Sequence, residues 1–194
     1  MAVHHFDRVT VPATPWKNGG GVTREIIRRP VGATLDDFEW RVSIATMAAD
    51  GPFSPFPGVD RLLIVLDGAG VHLRSADGAI DRRIDRPLDP IAFPGEVPLS
   101  CRLLAGECTD FNVMVRREHL HASLEIVHGR GVLAGSDHGV LFSARGVWTA
   151  DQHRIEEGRG ISWEDDSHAW QVSPETKGAV LVAVRIIGSN GASS

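Results

Sequence analysis

Trp16-Lys17-Asn18-Gly19-Gly20-Gly21-Val22-Thr23-Arg24-Glu25 runs directly into Ile26-Ile27. Three consecutive glycines are costly to order, because glycine loses more backbone freedom on folding than any other residue. They belong where a chain turns sharply or lies close against a partner. Polar Thr23, Arg24 and Glu25 then lead into a β-branched pair, which reads as a strand. A glycine loop can cradle phosphate through its N–H groups. The nucleotide patterns, however, need Gly-Lys-Ser/Thr opening a helix, or a strand before and a helix after. Neither context is present. Two readings remain: a tight turn opening a strand, and a ligand site floored by that strand.

Outward from this stretch, helical periodicity is almost absent. Short β-rich runs punctuated by Gly, Pro and Asp recur, which predicts an all-β sandwich or barrel. The expected strands are 6–11, 22–29, 39–46, 61–66, 70–75, 79–85, 91–93, 99–104 and 107–116. After a break at 117–122 come 123–127, 139–144, 160–163, 169–173 and 179–187. The two sets share a loose plan, each with a strand ending in Gly (62–68 and 140–146). They predict two related β units, 1–118 carrying the likely pocket and 119–194 supporting it. The tail 188–194 is expected to fray.

Composition narrows the function classes. The 194 residues carry a net charge of −5 and 42% hydrophobic residues. No basic field invites nucleic acid, and no run approaches the ~20 apolar residues of a membrane span. Met1-Ala2-Val3-His4-His5 lacks the basic start and apolar run of a secretory signal. Cys101 and Cys108 are the only cysteines and read as reduced. Together these predict a cytoplasmic protein whose oligomeric state is open, a dimer included.

Alternation then sorts side chains by face. Thr23 and Glu25 oppose Val22, Arg24 and Ile26. Arg41, Ser43 and Ala45 oppose Trp40, Val42 and Ile44. Asp110, Asn112 and Met114 oppose Phe111, Val113 and Val115. One face of such a sheet is either wet or, given its short Ser, Asn and Asp, the wall of a partly enclosed pocket. The loop Gly51-Pro52-Phe53-Ser54-Pro55-Phe56-Pro57-Gly58 is stiffened by its prolines. Its phenylalanines either plug a core or rim a pocket.

Four motifs in order carry a resemblance: Trp-Lys-Asn-Gly-Gly-Gly-Val-Thr-Arg-Glu-Ile (16–26), Trp-Arg-Val-Ser-Ile-Ala (40–45), Gly-Pro-Phe-Ser-Pro-Phe-Pro-Gly-Val-Asp-Arg (51–61) and Asp-Phe-Asn-Val-Met-Val-Arg-Arg (110–117). Together they resemble the HutD/Ves family of bacterial proteins. The resemblance implies a bicupin fold, two cupin-like β-barrel or sandwich units in one chain. It also implies a small-molecule-binding modulator of histidine utilisation, with no established reaction.

Many cupins hold a metal through His-x-His, a nearby Glu and a later His. Here the corresponding positions fall near Ser54, Phe56, Arg61 and Pro98, none an ordinary metal ligand. The first unit is therefore expected to be metal-free, and no cofactor is implied. His119-Leu120-His121 with Glu125 has the spacing but lies in the break and reads as solvated. His138, His153 and His168 are scattered.

The site that follows is a ligand pocket. Arg24, Arg41 or Arg61 would hold a carboxylate. Asn18, Thr23, Ser43 and Asn112 would orient polar groups, and Phe56 and Met114 would supply an apolar wall. Glu25 and Asp110 are read as partners of Arg41 and Arg61. Arg24 has the wrong parity to join Thr23 and Glu25 unless a bulge intervenes. Histidine, urocanate and formylglutamate-type compounds carry the required carboxylate. The competing reading is a metal-independent isomerase or hydrolase using Glu25 or Asp110 as acid or base.

Overall fold

The protein is described by a computed structural model, which places residues 3–189. The tail beyond residue 189 lies outside the described residues. All regular structure among them is β, with no α-helix and so none long and apolar enough to cross a membrane. The strands divide into two compact units, residues 12–118 and residues 1–11 with 119–194.

Strand β1 (Val3–Asp7) comes first. The chain then enters the 12–118 unit with β2 (Ala13–Pro15), β3 (Gly21–Arg29), β4 (Trp40–Met47), β5 (Gly51–Pro52), β6 (Val59–Asp67), β7 (Val71–Ser75), β8 (Asp81–Ile84), β9 (Ile91–Pro94), β10 (Leu99–Leu103) and β11 (Cys108–Arg116). These form a six-stranded sheet, β2-β3-β4-β11-β6-β9, and a four-stranded sheet, β5-β10-β7-β8. Met47, Leu63, Val65 and Phe93 of the larger sheet pack with Val71, Leu73, Leu99 and Cys101 of the smaller one in one buried cluster. A sandwich of two open sheets results.

The other unit continues with β12 (Leu120–Val127), β13 (Gly131–Leu133), β14 (His138–Arg145), β15 (Trp148–Ala150), β16 (His153–Ile155), β17 (Arg159–Trp163), β18 (Trp170–Pro174) and β19 (Val180–Gly188). It too has a larger and a smaller sheet, β1-β17-β14-β19-β12 and β13-β18-β15-β16. Trp148, Trp163 and Trp170 fill its core with Leu141, Ile161 and Leu181.

Several expectations change. The unit starting at residue 1 is corrected, because β1 pairs antiparallel with β17, Phe6 opposite Gly160. The expected strand 6–11 instead ends at Asp7. There the Asp7 carbonyl accepts from the amides of Thr10 and Val11, and its carboxylate accepts from Val9. Gly188 does not fray but pairs with Leu120. No closed barrel forms among the described residues, since every sheet retains edge strands.

The glycine stretch is a turn and a close approach at once. Gly19 sits at φ +71°, a conformation side chains resist. A Cβ on Gly21 would lie 2.4 Å from the Thr46 carbonyl oxygen, so no larger residue fits there without movement. The turn delivers β3 against β4, and the larger sheet then builds the site.

Candidate functional site

Three ladders across β3, β4, β11 and β6 place the polar side chains. One runs Thr23–Ala45–Asp110–Val65, the next Glu25–Ser43–Asn112–Leu63. The third runs Arg28–Arg41–Met114–Arg61. Residues paired in register point to the same face, so all three ladders open on one side. That side holds a cavity of about 790 Å³ within the 12–118 unit. It lies on the face whose Leu63 and Val65 continue into the sandwich core.

Of the residues expected at the site, Asn18, Thr23, Glu25, Arg41, Ser43, Phe56, Arg61, Asp110, Asn112 and Met114 line this cavity. Arg24 does not. A register shift between Glu25 and Ile27 inserts one extra residue in β3. Beyond it the parity inverts, and Arg28, not Arg24, joins Glu25 on the cavity face. Alternation rightly set Arg24 apart from Thr23 and Glu25, but Ile26-Ile27 carries no mark of which residue is extra, so Arg28 was not singled out.

The wet-face alternative is overturned. Ser43, Asp110 and Asn112 are buried, at 1%, 3% and 7% exposure. Both phenylalanines of the 51–58 loop line the cavity and pack inward as well, Phe53 against Phe93 and Phe56 edge-on to Phe38. The alternatives of plug and rim are here one arrangement. Trp16 and Lys17 also line the cavity, although nothing in the alternation singled them out. Trp16 donates its indole N–H to Thr23 Oγ1 at 2.7 Å. Asn18 Oδ1 accepts from the Gly20 amide and so closes the turn.

The charges are unequally paired. Glu25 meets Arg41 at 2.8 Å and Arg28 at 3.3 Å, so one carboxylate serves two guanidinium groups. Arg61 is 7% exposed. Its Nε makes one long hydrogen bond of 3.4 Å to Asn112 Oδ1. Its charge stacks on Phe53 and Phe93, 4.8 and 5.1 Å from the ring centroids. Burial lowers its pKa to about 10, against the opposing pull of Asp110. The expected Asp110–Arg61 ion pair is not formed by contact: the two act on each other through space, and Asp110 Oδ1 is buried with no hydrogen-bond partner. Burial pushes the Asp110 carboxyl up to about 7, while Arg61, the Ala45 amide and Arg41 pull the other way.

Cys101 and Cys108 are free and buried, and burial lifts their thiols to about 12 and about 11. Both are neutral and unreactive at ordinary pH. His153 hydrogen-bonds to His5 at 3.2 Å, and His168 to Asp151 at 2.7 Å. Among the described residues, no group of three or more His, Cys, Asp or Glu side chains is placed to hold a metal ion.

A family model, HutD, matches residues 8–182 of the chain. Protein Ves of Escherichia fergusonii is 34% identical over 175 residues, which cover 90% of each chain. The structure of HutD from Pseudomonas fluorescens SBW25 is 31% identical and superposes with a TM-score of 0.84, covering 96% of this chain and 99% of that one. A cupin-like neighbour, a glyoxylate-induced protein from Pseudomonas aeruginosa, is 12% identical with a TM-score of 0.70, over 97% of this chain and 90% of its own. At that identity the likeness is one of fold alone.

Proposed function

Because this chain belongs to the HutD family, we propose that it is a metal-free bicupin that modulates bacterial histidine utilisation by binding a small carboxylate-bearing compound. Histidine, urocanate and formylglutamate-type compounds are the candidate ligands. The observation that carries this reading is Arg61, a desolvated guanidinium in the cavity with no ion pair among the described residues. A buried charge left without a partner is costly, and a planar fork of donors matches a carboxylate.

The count of charges points the same way. Lys17, Arg28, Arg41 and Arg61 line the cavity against Glu25 and Asp110, four cations to two acids. Three of the four positions where many cupins place metal ligands, Ser54, Phe56 and Arg61, also line it. Arg61 thus falls near a position where many cupins carry a metal ligand, and it brings a positive charge of its own. The related HutD structure was obtained in a formate condition, and formate is the smallest carboxylate.

Thermal melting of the wild type and Arg61→Met against histidine, urocanate and N-formylglutamate tests the reading. A ligand at 100 times its Kd adds about 2.7 kcal/mol of stability. The wild type is expected to gain stability with at least one compound. Arg61→Met, which replaces a buried charge by an apolar chain, is expected to melt no lower than the wild type yet show no gain. No gain with any compound, or an undiminished gain in Arg61→Met, defeats the proposal.

One observation favours a second reading, an enzyme with Asp110 as acid or base. Its carboxyl is buried in the cavity with a pKa of about 7, where general acid–base catalysis is most effective. Conversion of a bound candidate, followed by chromatography and abolished in Asp110→Asn, would establish it.

A further inference from the structure

Resting on the carboxylate-binding reading above, we propose that Asp110 meets the bound anion as a neutral carboxylic acid and donates its proton to it, so that the ligand enters the cavity together with one proton. The geometry begins with the orphaned atom. Asp110 is 3% exposed, and its Oδ1 has no hydrogen-bond partner although it lines a cavity. A buried acceptor or donor without a partner costs free energy, and an occupant of the cavity that Asp110 lines is placed to supply one. Arg61 lines the same cavity with donors to spare. An anion drawn to Arg61 therefore arrives beside a second carboxyl group.

Two carboxylates at hydrogen-bond distance cannot both stay ionised, and such pairs share a proton. The proton has one place to reside. Arg41 on β4 and Arg61 on β6 act on Asp110 and favour its charged form, but neither can accept its proton, since a guanidinium carries donors only. Glu25 on β3 is engaged by Arg41 and Arg28. Cys101 and Cys108, which also feel Asp110, are neutral thiols. A ligand anion adds negative charge next to Asp110 and tips that group to its acid form. The neutral acid then donates O–H to the ligand while Arg61 donates N–H. The same arrangement disfavours a ligand that presents an N–H to this point, because Asp110 would have to remain ionised to accept it.

The test is calorimetric titration of N-formylglutamate, and separately of formate, in two buffers of different ionisation enthalpy. Neither carboxylate titrates between pH 6 and 8.5, so any proton exchanged belongs to the protein. The expected result is uptake of between about one half and one proton per ligand at pH 7.5, and affinity falling about tenfold per pH unit above pH 7. Asp110→Asn is expected to remove the uptake and flatten the pH profile, its amide still able to donate to the anion. Binding with no proton uptake, or with proton release, overturns the inference and leaves the carboxylate-binding reading standing. Absence of binding by both anions at pH 6 also overturns the inference, while the carboxylate-binding reading is then decided by melting against histidine and urocanate.

Discussion

At the scale of the residue, the cavity is built from groups whose ordinary states are displaced by burial. Asp110 makes this measurable without a ligand. In the unfolded chain its carboxyl ionises near 3.8, and in the fold near 7. A raised folded value means the stability due to the neutral acid is complete below pH 3.8 and is lost as pH climbs to about 7. The loss is on the order of 4 kcal/mol. Asp110→Asn does not titrate. Its stability relative to the wild type is therefore expected to increase from pH 4 to pH 7 and level off above. Urea unfolding of both proteins at pH 5 and pH 8 checks this, and an equal gap at the two pH values contradicts it.

The strand-borne polar part of the cavity was legible at this scale, because Thr23, Glu25, Arg41, Ser43, Asp110, Asn112 and Met114 follow strand alternation and all line the cavity. What the sequence hid was pairing. Glu25–Arg41 formed as expected, but Asp110 and Arg61, equally plausible partners by residue type, make no contact pair. That outcome depends on where each side chain ends in three dimensions, which residue identity does not encode.

At the scale of the element, β3 decides what the cavity contains. Its glycine turn sets the entry and its extra residue sets the exit. The turn was legible, since Gly19 and Gly21 serve a positive φ and a close backbone approach, the two uses for which only glycine suffices. The exit was not. Either of two adjacent isoleucines can be the extra residue, and hydrophobic pattern cannot choose between them. Gly21→Ala is a clean probe of the entry. Its methyl would press on the Thr46 carbonyl and lie 3.0 Å from the Trp16 ring. The expected cost is about 1–3 kcal/mol, read by denaturant unfolding. A variant as stable as the wild type would show that β3 and β4 can separate freely.

At the scale of the whole molecule, fold class was legible and unit membership was not. Frequent Gly, Pro and Asp between β-branched runs specify β structure locally. Nothing local says that β1 pairs with β17, a strand more than 150 residues away. Residues 3–7 look like the start of the unit they precede in sequence. In the fold they supply an edge to the other one, with Phe6 stacked on Phe142 at 6.1 Å. Removing residues 1–11 is thus expected to leave β17 with an uncovered edge. The truncated chain should melt earlier and elute at a larger apparent mass from a sizing column. Unchanged melting and elution would mean the β1–β17 pairing contributes nothing to stability.

The five tryptophans are unevenly housed. Trp40, Trp148, Trp163 and Trp170 are 2% exposed or less, whereas Trp16 is only partly buried and borders the cavity. Four indoles therefore emit from dry surroundings, and the long-wavelength side of the intrinsic fluorescence belongs to Trp16. An occupant of the cavity displaces water from that one ring and moves its emission to the blue. Trp16→Phe would keep most of the light and lose that response, so the protein carries its own optical gauge of whether the cavity is filled.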